Sequence, residues 1–317
     1  HDLAGFVNAR KIKTMLHEAK STGTAVITAT TTNGKTASCT VTVNKKDTYT
    51  GLRDVDGQLK YFNNGNIDTT YTGFADYEGS RHYVSNGVVD TTYTSLILDN
   101  GNWVYVENGS VNNDYTGLVN YEGLWFYVSD GTIDWGYTGL ADYNGIWFYV
   151  SGGIVDWNYT GLAENEAGWF YVKDGVIDWD YTGLAENGAG WFYVNDGIID
   201  WNYTGLYESE SVWFYINSGI IDWGYSGVAK NESGWWKCSG GTIDYNYTGL
   251  VDNGDEVWMI SSGKADFDYN GYVSNANGTF YVEAGKVNTN ANGVMSKDDA
   301  LVYVKNGQVR YDYTGMA

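Results

Sequence analysis

Tyr137-Thr-Gly-Leu-Ala-Asp-Tyr-Asn-Gly-Ile-Trp-Phe-Tyr-Val-Ser-Gly-Gly-Ile-Val-Asp-Trp-Asn158 decides the fold, because its pattern recurs in steps of 22 residues on both sides without insertion or deletion. Working outward, the leading tyrosine reappears at Tyr49, Tyr71, Tyr93, Tyr115, Tyr159, Tyr181, Tyr203, Tyr225, Tyr247, Tyr269 and, past Ala291, at Tyr313. A glycine keeps the same step, from Gly65 through Gly153 and Gly175 to Gly307. An acid usually follows it three positions later, as at Asp134, Asp156, Asp178, Asp200 and Asp222. A strict period of this length marks a solenoid, in which each unit covers its neighbour and one surface is presented many times.

Within the unit, Trp147-Phe148-Tyr149-Val150 is a run of strand formers, which predicts a β-strand with Trp147 and Tyr149 on one face and Phe148 and Val150 on the other. The stretch from Gly139 to Tyr143 is its partner, and Asn144-Gly145 supplies the positive φ angles of a tight hairpin, with equivalents at Asp56-Gly57, Glu78-Gly79 and Glu122-Gly123. Gly153 closes the second strand and Asp156 caps the loop to the next unit. A lone hairpin is marginal in water, so successive hairpins must bury their aromatic faces on one another. The expected fold is an all-β solenoid of stacked β-hairpins: twelve 22-residue repeats over residues 49–317.

Composition narrows the function. Seventeen per cent of the residues are aromatic, 42 are glycine and none is proline. The net charge of −21 is concentrated in the repeats, which excludes nucleic acid and anionic membrane surfaces as partners. No run approaches the ~20 apolar residues of a membrane helix, so membrane insertion is not expected, and no signal peptide is visible. Cys39 and Cys238 are far apart and stand where a small apolar residue would suit, so they are read as free thiols with no metal role.

Before the repeats, Thr24-Ala-Val-Ile-Thr-Ala-Thr-Thr-Thr-Asn-Gly-Lys-Thr-Ala-Ser-Cys-Thr-Val-Thr-Val43 forms a Thr/Val hairpin around Asn33-Gly34. It resembles the closing strands of a bacterial immunoglobulin-like domain of group 2, and residues 20–44 are read as part of such a domain, packed against the first repeats. Residues 1–19 carry Ile12, Met15, Leu16 and Ala19 at helical spacing, which predicts a short amphipathic helix.

The unit as a whole, with Gly139, Gly145, Trp147 to Val150 and Gly153, is similar to the cell-wall-binding and glucan-binding repeats of Gram-positive surface proteins, the choline-binding superfamily. That resemblance implies hairpins stacked into a superhelix, a secreted or cell-surface location, and aromatic cages between hairpins. Two departures accompany it. Leu140, Leu162, Leu184, Leu206 and Val228 stand where the family usually has Trp, removing one wall of the choline cage. The loop is two residues longer and carries Trp135, Trp157, Trp179, Trp201 and Trp223, continued by Tyr245 and Phe267.

Two aromatic columns are therefore candidate ligand sites. The first holds Trp125, Trp147, Trp169, Trp191 and Trp213 with Tyr127, Tyr149, Tyr171 and Tyr193; its rings can pack between hairpins or line grooves there, and packing is favoured. The second is the loop column, Trp135, Trp157, Trp179, Trp201 and Trp223, open equally to ligand stacking and to structural filling. The preceding acids can cap loops or bond sugar hydroxyls, and capping is favoured. One acid per loop makes no calcium pattern, the three histidines are scattered, and no catalytic pair or phosphate loop stands out, so no catalytic, metal or cofactor residue is named. The expected function is a non-catalytic, multivalent module for cell-wall or host glycans. The alternatives are an adhesin for a host protein such as mucin or an immunoglobulin, and a passive spacer or targeting tail of a larger secreted enzyme.

Overall fold

A computed structural model describes residues 21–312 and Thr314. The helix expected in residues 1–19 and the register residue Tyr313 lie outside the described residues. The described residues form 38 strands and no helix. They divide into two compact units, one running to Thr116 with Ser129–Ile133, the other comprising Gly117–Val128 and the chain from Asp134 onward.

In the second unit, strand Gly139–Tyr143 pairs antiparallel with strand Ile146–Ser151, Gly139 opposite Val150 and Tyr143 opposite Ile146. Asn144 (φ 54°) and Gly145 (φ 82°) make the two-residue turn, as expected. The tips at Glu122-Gly123 and, in the first unit, at Asp56-Gly57 and Glu78-Gly79 have the same two positive angles. Other repeats turn by other means. In Asn165-Glu166-Ala167-Gly168 the Asn165 side chain accepts the Ala167 N–H at 2.8 Å, and Gly168 carries φ 142°. Asn187, Asn231 and Asn275 do the same for Ala189, Ser233 and Asn277.

Past Gly153 the chain forms an element that the sequence leaves as loop. Ile154–Val155 folds back on Ile146–Ser151 and also pairs, at Ile154 opposite Phe126, with the long strand of the preceding repeat. Each long strand thus has three partners: its hairpin mate, its own short strand, and the short strand of the next repeat, as Phe148 opposite Val176 shows. Because each pairing joins a repeat only to its neighbour, the sheet within each unit is an open ladder rather than a closed barrel. The result is a β-solenoid of hairpin repeats.

Side chains complete the lock. Leu140, Trp147 and Tyr149 of one hairpin meet Ala163, Phe170, Val172 and Ile177 of the next. Leu162, Trp169 and Tyr171 meet Ala185, Phe192, Val194 and Ile199 in the same way. The alternation predicted for the strand is therefore the stacking rule: odd rings face forward, even ones back. Burying each Phe or Val contributes about 2 kcal/mol. In the first unit Leu52 and Tyr61 meet Ala75, Val84 and Val89. Cys238 holds the fully buried position of Val150, Val172 and Val194, where burial pushes its thiol up to about 11. Both cysteines are free, and Cys39 is exposed.

The register tyrosines have two jobs. Tyr225 lies flat on Tyr215, ring centroids 3.5 Å apart, and donates its hydroxyl to the Val228 carbonyl at 2.7 Å. Burial first, and the neighbouring Tyr215 second, push its phenol up to about 12; burial raises Tyr137, Tyr159, Tyr181 and Tyr203 as well. A phenol whose pKa is raised on folding stabilises the fold fully below its ordinary value of 10.0 and ceases to do so as pH climbs through the folded value. The melting temperature should therefore fall between about pH 10 and about pH 12, in step with tyrosinate absorbance. A melting temperature indifferent to pH in that window would contradict this burial.

The amino-terminal hairpin is present as Gly23–Thr30 paired with Thr36–Val43, Ile27 opposite Cys39, and Gly34 in the turn at φ 76°. Its expected packing against the first repeats is not found. Every side chain in Gly23–Thr30 is exposed, Val26 by 63%, and only Val41 and Val43 are partly covered in its mate. The reason lies in its side chains: short Thr and Ala residues offer the large rings of the repeats little to interdigitate with.

Candidate functional site

The seven repeats from Trp135 to Phe267 send a second aromatic row outward from the loop after the short strand. Asp156 shapes that loop: its side chain accepts the Asn158 N–H at 3.0 Å, its N–H donates to Tyr149 O at 2.9 Å, and its carbonyl accepts the Tyr159 N–H at 3.2 Å. Asp134, Asp178, Asp200 and Asp222 accept the N–H two residues on in the same way. The favoured reading of these acids as loop caps is what the geometry shows. Among the described residues no group of three or more His, Cys, Asp or Glu gathers.

The loop is pinned from behind by the next repeat. Gly175 (φ 77°) approaches so closely that a Cβ there would meet Asp156 O at 2.7 Å and Trp157 Cα at 2.9 Å. Its N–H donates to Tyr159 O at 2.9 Å, and its carbonyl accepts the Tyr149 N–H at 2.8 Å. Thr160 Oγ1 accepts the Asp174 N–H at 3.2 Å beside it. These bonds hold the loop ring in place without burying it.

Trp135, Trp157, Trp179, Trp201 and Trp223 are 52%, 44%, 50%, 50% and 53% exposed. Each leans edge-on against a strand ring, Trp157 on Phe148 at 5.7 Å and Trp179 on Phe170 at 5.6 Å, and the others on Phe126, Phe192 and Phe214. Tyr245 and Phe267 continue the row against Trp236 and Trp258. The supporting Phe row escapes a sequence reading aimed at the tryptophans. Its one signal is alternation: Phe148 faces opposite Trp147 and therefore toward the loop.

The first column sits differently. Trp125, Trp147, Trp169 and Trp213 are half-buried between hairpins, and Trp191 is 38% exposed. Tyr127, Tyr149, Tyr171 and Tyr193 lie against Tyr137, Tyr159, Tyr181 and Tyr203, at 3.6 Å for Tyr171 on Tyr181. Of the five residues of the Leu140 type, Leu140, Leu162 and Leu206 are buried inside this packing and Leu184 and Val228 are half-buried. Between hairpins Gly205–Asn217 and Gly227–Ser239 a groove of about 490 Å³ opens beside Leu206 and Trp213.

Nine segments of the chain match the family model described as a choline-binding repeat: residues 70–90, 92–112, 114–134, 136–156, 158–178, 180–200, 202–222, 224–244 and 268–288. Together they cover more than half of the chain. The matches break off at the cap acid and resume two residues later, so Trp135, Trp157, Trp179, Trp201 and Trp223 each fall in a one-residue gap between matched segments. No curated protein sequence matches the chain. Among the described residues no helix is long and apolar enough to cross a membrane.

Proposed function

The chain belongs to the choline-binding repeat family, and from that membership we propose that it is a non-catalytic, multivalent module of a secreted or surface protein of a Gram-positive bacterium, holding cell-wall polysaccharide or related glycans on its aromatic rows. The observation that carries the reading is the loop column: five rings, each about half exposed, each braced by a phenylalanine, and each lying outside the segment that the family pattern defines. A solvent-facing indole on a rigid mount suits the apolar face of a sugar ring. Weak single sites, repeated on one chain, add up through effective concentration.

Leu140, Leu162 and Leu206 are buried in the hairpin stack, and Leu184 and Val228 half-buried there, where the family resemblance implies a cage wall of Trp. A cage on the unmodified family plan is therefore incomplete in these repeats, and we place the main ligand contacts on the loop column. We further infer that residues 20–44 are the closing strands of an immunoglobulin-like sandwich. Ala25, Ile27, Ala29, Ala37, Cys39 and Val41 share one face of that hairpin, and threonines dominate the other.

The test is co-sedimentation of the chain with purified Gram-positive cell walls, before and after the wall polysaccharide is stripped, alongside mucin with and without its glycans. Binding lost with the polysaccharide is the expected result. Retention on deglycosylated mucin alone would move the reading to a protein-binding adhesin, and no binding anywhere would leave a spacer.

A further inference from the structure

Two side-chain contacts lock the central joints between hairpins of the second unit. At each, a strand tyrosine lies flat on the register tyrosine of the next repeat: Tyr149 on Tyr159, Tyr171 on Tyr181 and Tyr215 on Tyr225, ring centroids 3.5 to 3.6 Å apart. A branched aliphatic side chain of the next short strand also reaches back over the hairpin tip. Ile198 and Ile220 lie 3.9 Å and 3.4 Å from where a Cβ on Gly168 and Gly190 would stand.

The joint between hairpins Gly227–Ser239 and Gly249–Ser261 loses both contacts. Lys237 takes the place of the strand tyrosine; its ammonium is 5.8 Å from the Tyr247 ring and donates to the Cys238 carbonyl of its own hairpin, not across the joint. Lys264 takes the place of the isoleucine; its stem covers Gly234 and its ammonium lies 5.4 Å from Trp236. Val228, half-buried, stands where the four preceding hairpins have leucine. An ammonium keeps its water, so a lysine stem seals a joint less completely than a tyrosine ring or a branched aliphatic chain.

Both sides of this joint are packed as elsewhere. Before it, Leu206 and Trp213 meet Ala229, Cys238 and Ile243. After it, Leu250 and Met259 meet Val282, with Tyr269, Phe280 and Val287 around them. The connection itself keeps its main-chain ladder: the Lys237 N–H donates to Gly263 O at 2.8 Å, as the Tyr215 N–H does to Gly241 O. One ring contact also crosses it, Trp235 edge-on to Trp258 at 5.2 Å. The weakness is therefore confined to a single interface within an otherwise continuous stack.

We propose that this interface is a hinge of the solenoid, at which the repeats from Gly249 onward open together, as one folded body, from those before it. In an array whose stability is a sum over neighbouring interfaces, one weak interface concentrates opening at that point. Trp135, Trp157, Trp179, Trp201 and Trp223 all lie before the hinge. Whatever those rings hold, the carboxyl-terminal repeats are left free to swing.

Amide exchange of the full chain, followed residue by residue by NMR, tests it. The Lys237 amide, which bonds across the hinge, should be about tenfold less protected than the Tyr149, Tyr171 and Tyr215 amides, which bond across the central joints in the same way. The Met259 amide, bonded to Gly285 O across the next joint, should stay protected. Lys237→Tyr with Lys264→Ile should bring the residue 237 amide up to the level of Tyr215. Tyr215→Lys should create a second weak amide at residue 215 while Tyr171 is unmoved, and this arm serves if the double variant fails to fold. Equal protection at Lys237 and Tyr215 overturns the hinge. So does a Met259 amide as exposed as that of Lys237, which would mean fraying from the chain end, or a weak residue 237 amide that persists in the folded double variant.

Discussion

Gly175→Ala is expected to destabilise its part of the solenoid by about 3 kcal/mol, because it breaks two rules at once. The backbone is left-handed at φ 77°, where a Cβ costs roughly 1 kcal/mol. That Cβ would also stand 2.7 Å from Asp156 O and 2.9 Å from Trp157 Cα, and both are backbone atoms of the preceding repeat. They cannot swing aside as a flexible side chain would. Moving them disturbs the Asp156 cap and the paired bonds from Tyr149 to Gly175 O and from Gly175 to Tyr159 O. Gly145→Ala is the control: its φ is 82°, but nothing lies within 4 Å of an added Cβ, so only the conformational cost of about 1 kcal/mol remains. A repeat array need not unfold in one step, so the readout is hydrogen exchange across residues 137–180 rather than a global midpoint. Similar loss of protection in the two variants would show that the close approach contributes nothing.

That contrast also shows what a linear reading can and cannot reach. Gly175 keeps its place in every repeat whereas the Gly145 position does not, and the 22-residue spacing announces a solenoid of hairpins, as does the alternation of Trp147, Phe148, Tyr149 and Val150. Hairpin tips of the Asn144-Gly145 kind are legible because they depend on two adjacent residues. The Asn165-Glu166-Ala167-Gly168 tip hides better, since its turn rests on one side chain bonding a backbone N–H. The strand Ile154–Val155 is harder still. Two residues carry no periodicity, and its partners, Phe126 and Val150, lie in two different repeats. The candidate site divides along the same line. The exposure of the loop column could not be predicted from its residues, which suit burial equally well; it follows from the Gly175 approach that fixes the loop and from the Phe row beneath it. The burial of Leu140 follows directly from the hairpin stacking that the pattern does announce.

Trp157, Trp179 and Trp201 replaced together by alanine should reduce retention on purified cell walls by about 100-fold or more while leaving the fold intact. Each ring is roughly half exposed and touches one phenylalanine edge, so its removal sacrifices little packing. The backbone of the loop does not depend on the indole, because Asp156, Thr160 and Gly175 hold it through main-chain bonds. Loss of one stacking partner removes about 1 kcal/mol from a sugar contact, and on a multivalent chain such losses compound, so three changes exceed the single-site effect many times over. Phe170→Ala separates mount from contact. Phe170 is 6% exposed within the cluster of Leu140, Ala163, Val172 and Ile177, and emptying that position costs about 3–5 kcal/mol of stability. Its variant should lose binding only together with exchange protection, whereas the triple tryptophan variant should lose binding alone. If the triple variant sediments with cell walls as the parent chain does, the loop column is not the contact surface. Binding would then have to reside in the inter-hairpin grooves, where Trp213 and Leu206 border open space, and the outward rings would be no more than covers for the phenylalanines beneath them.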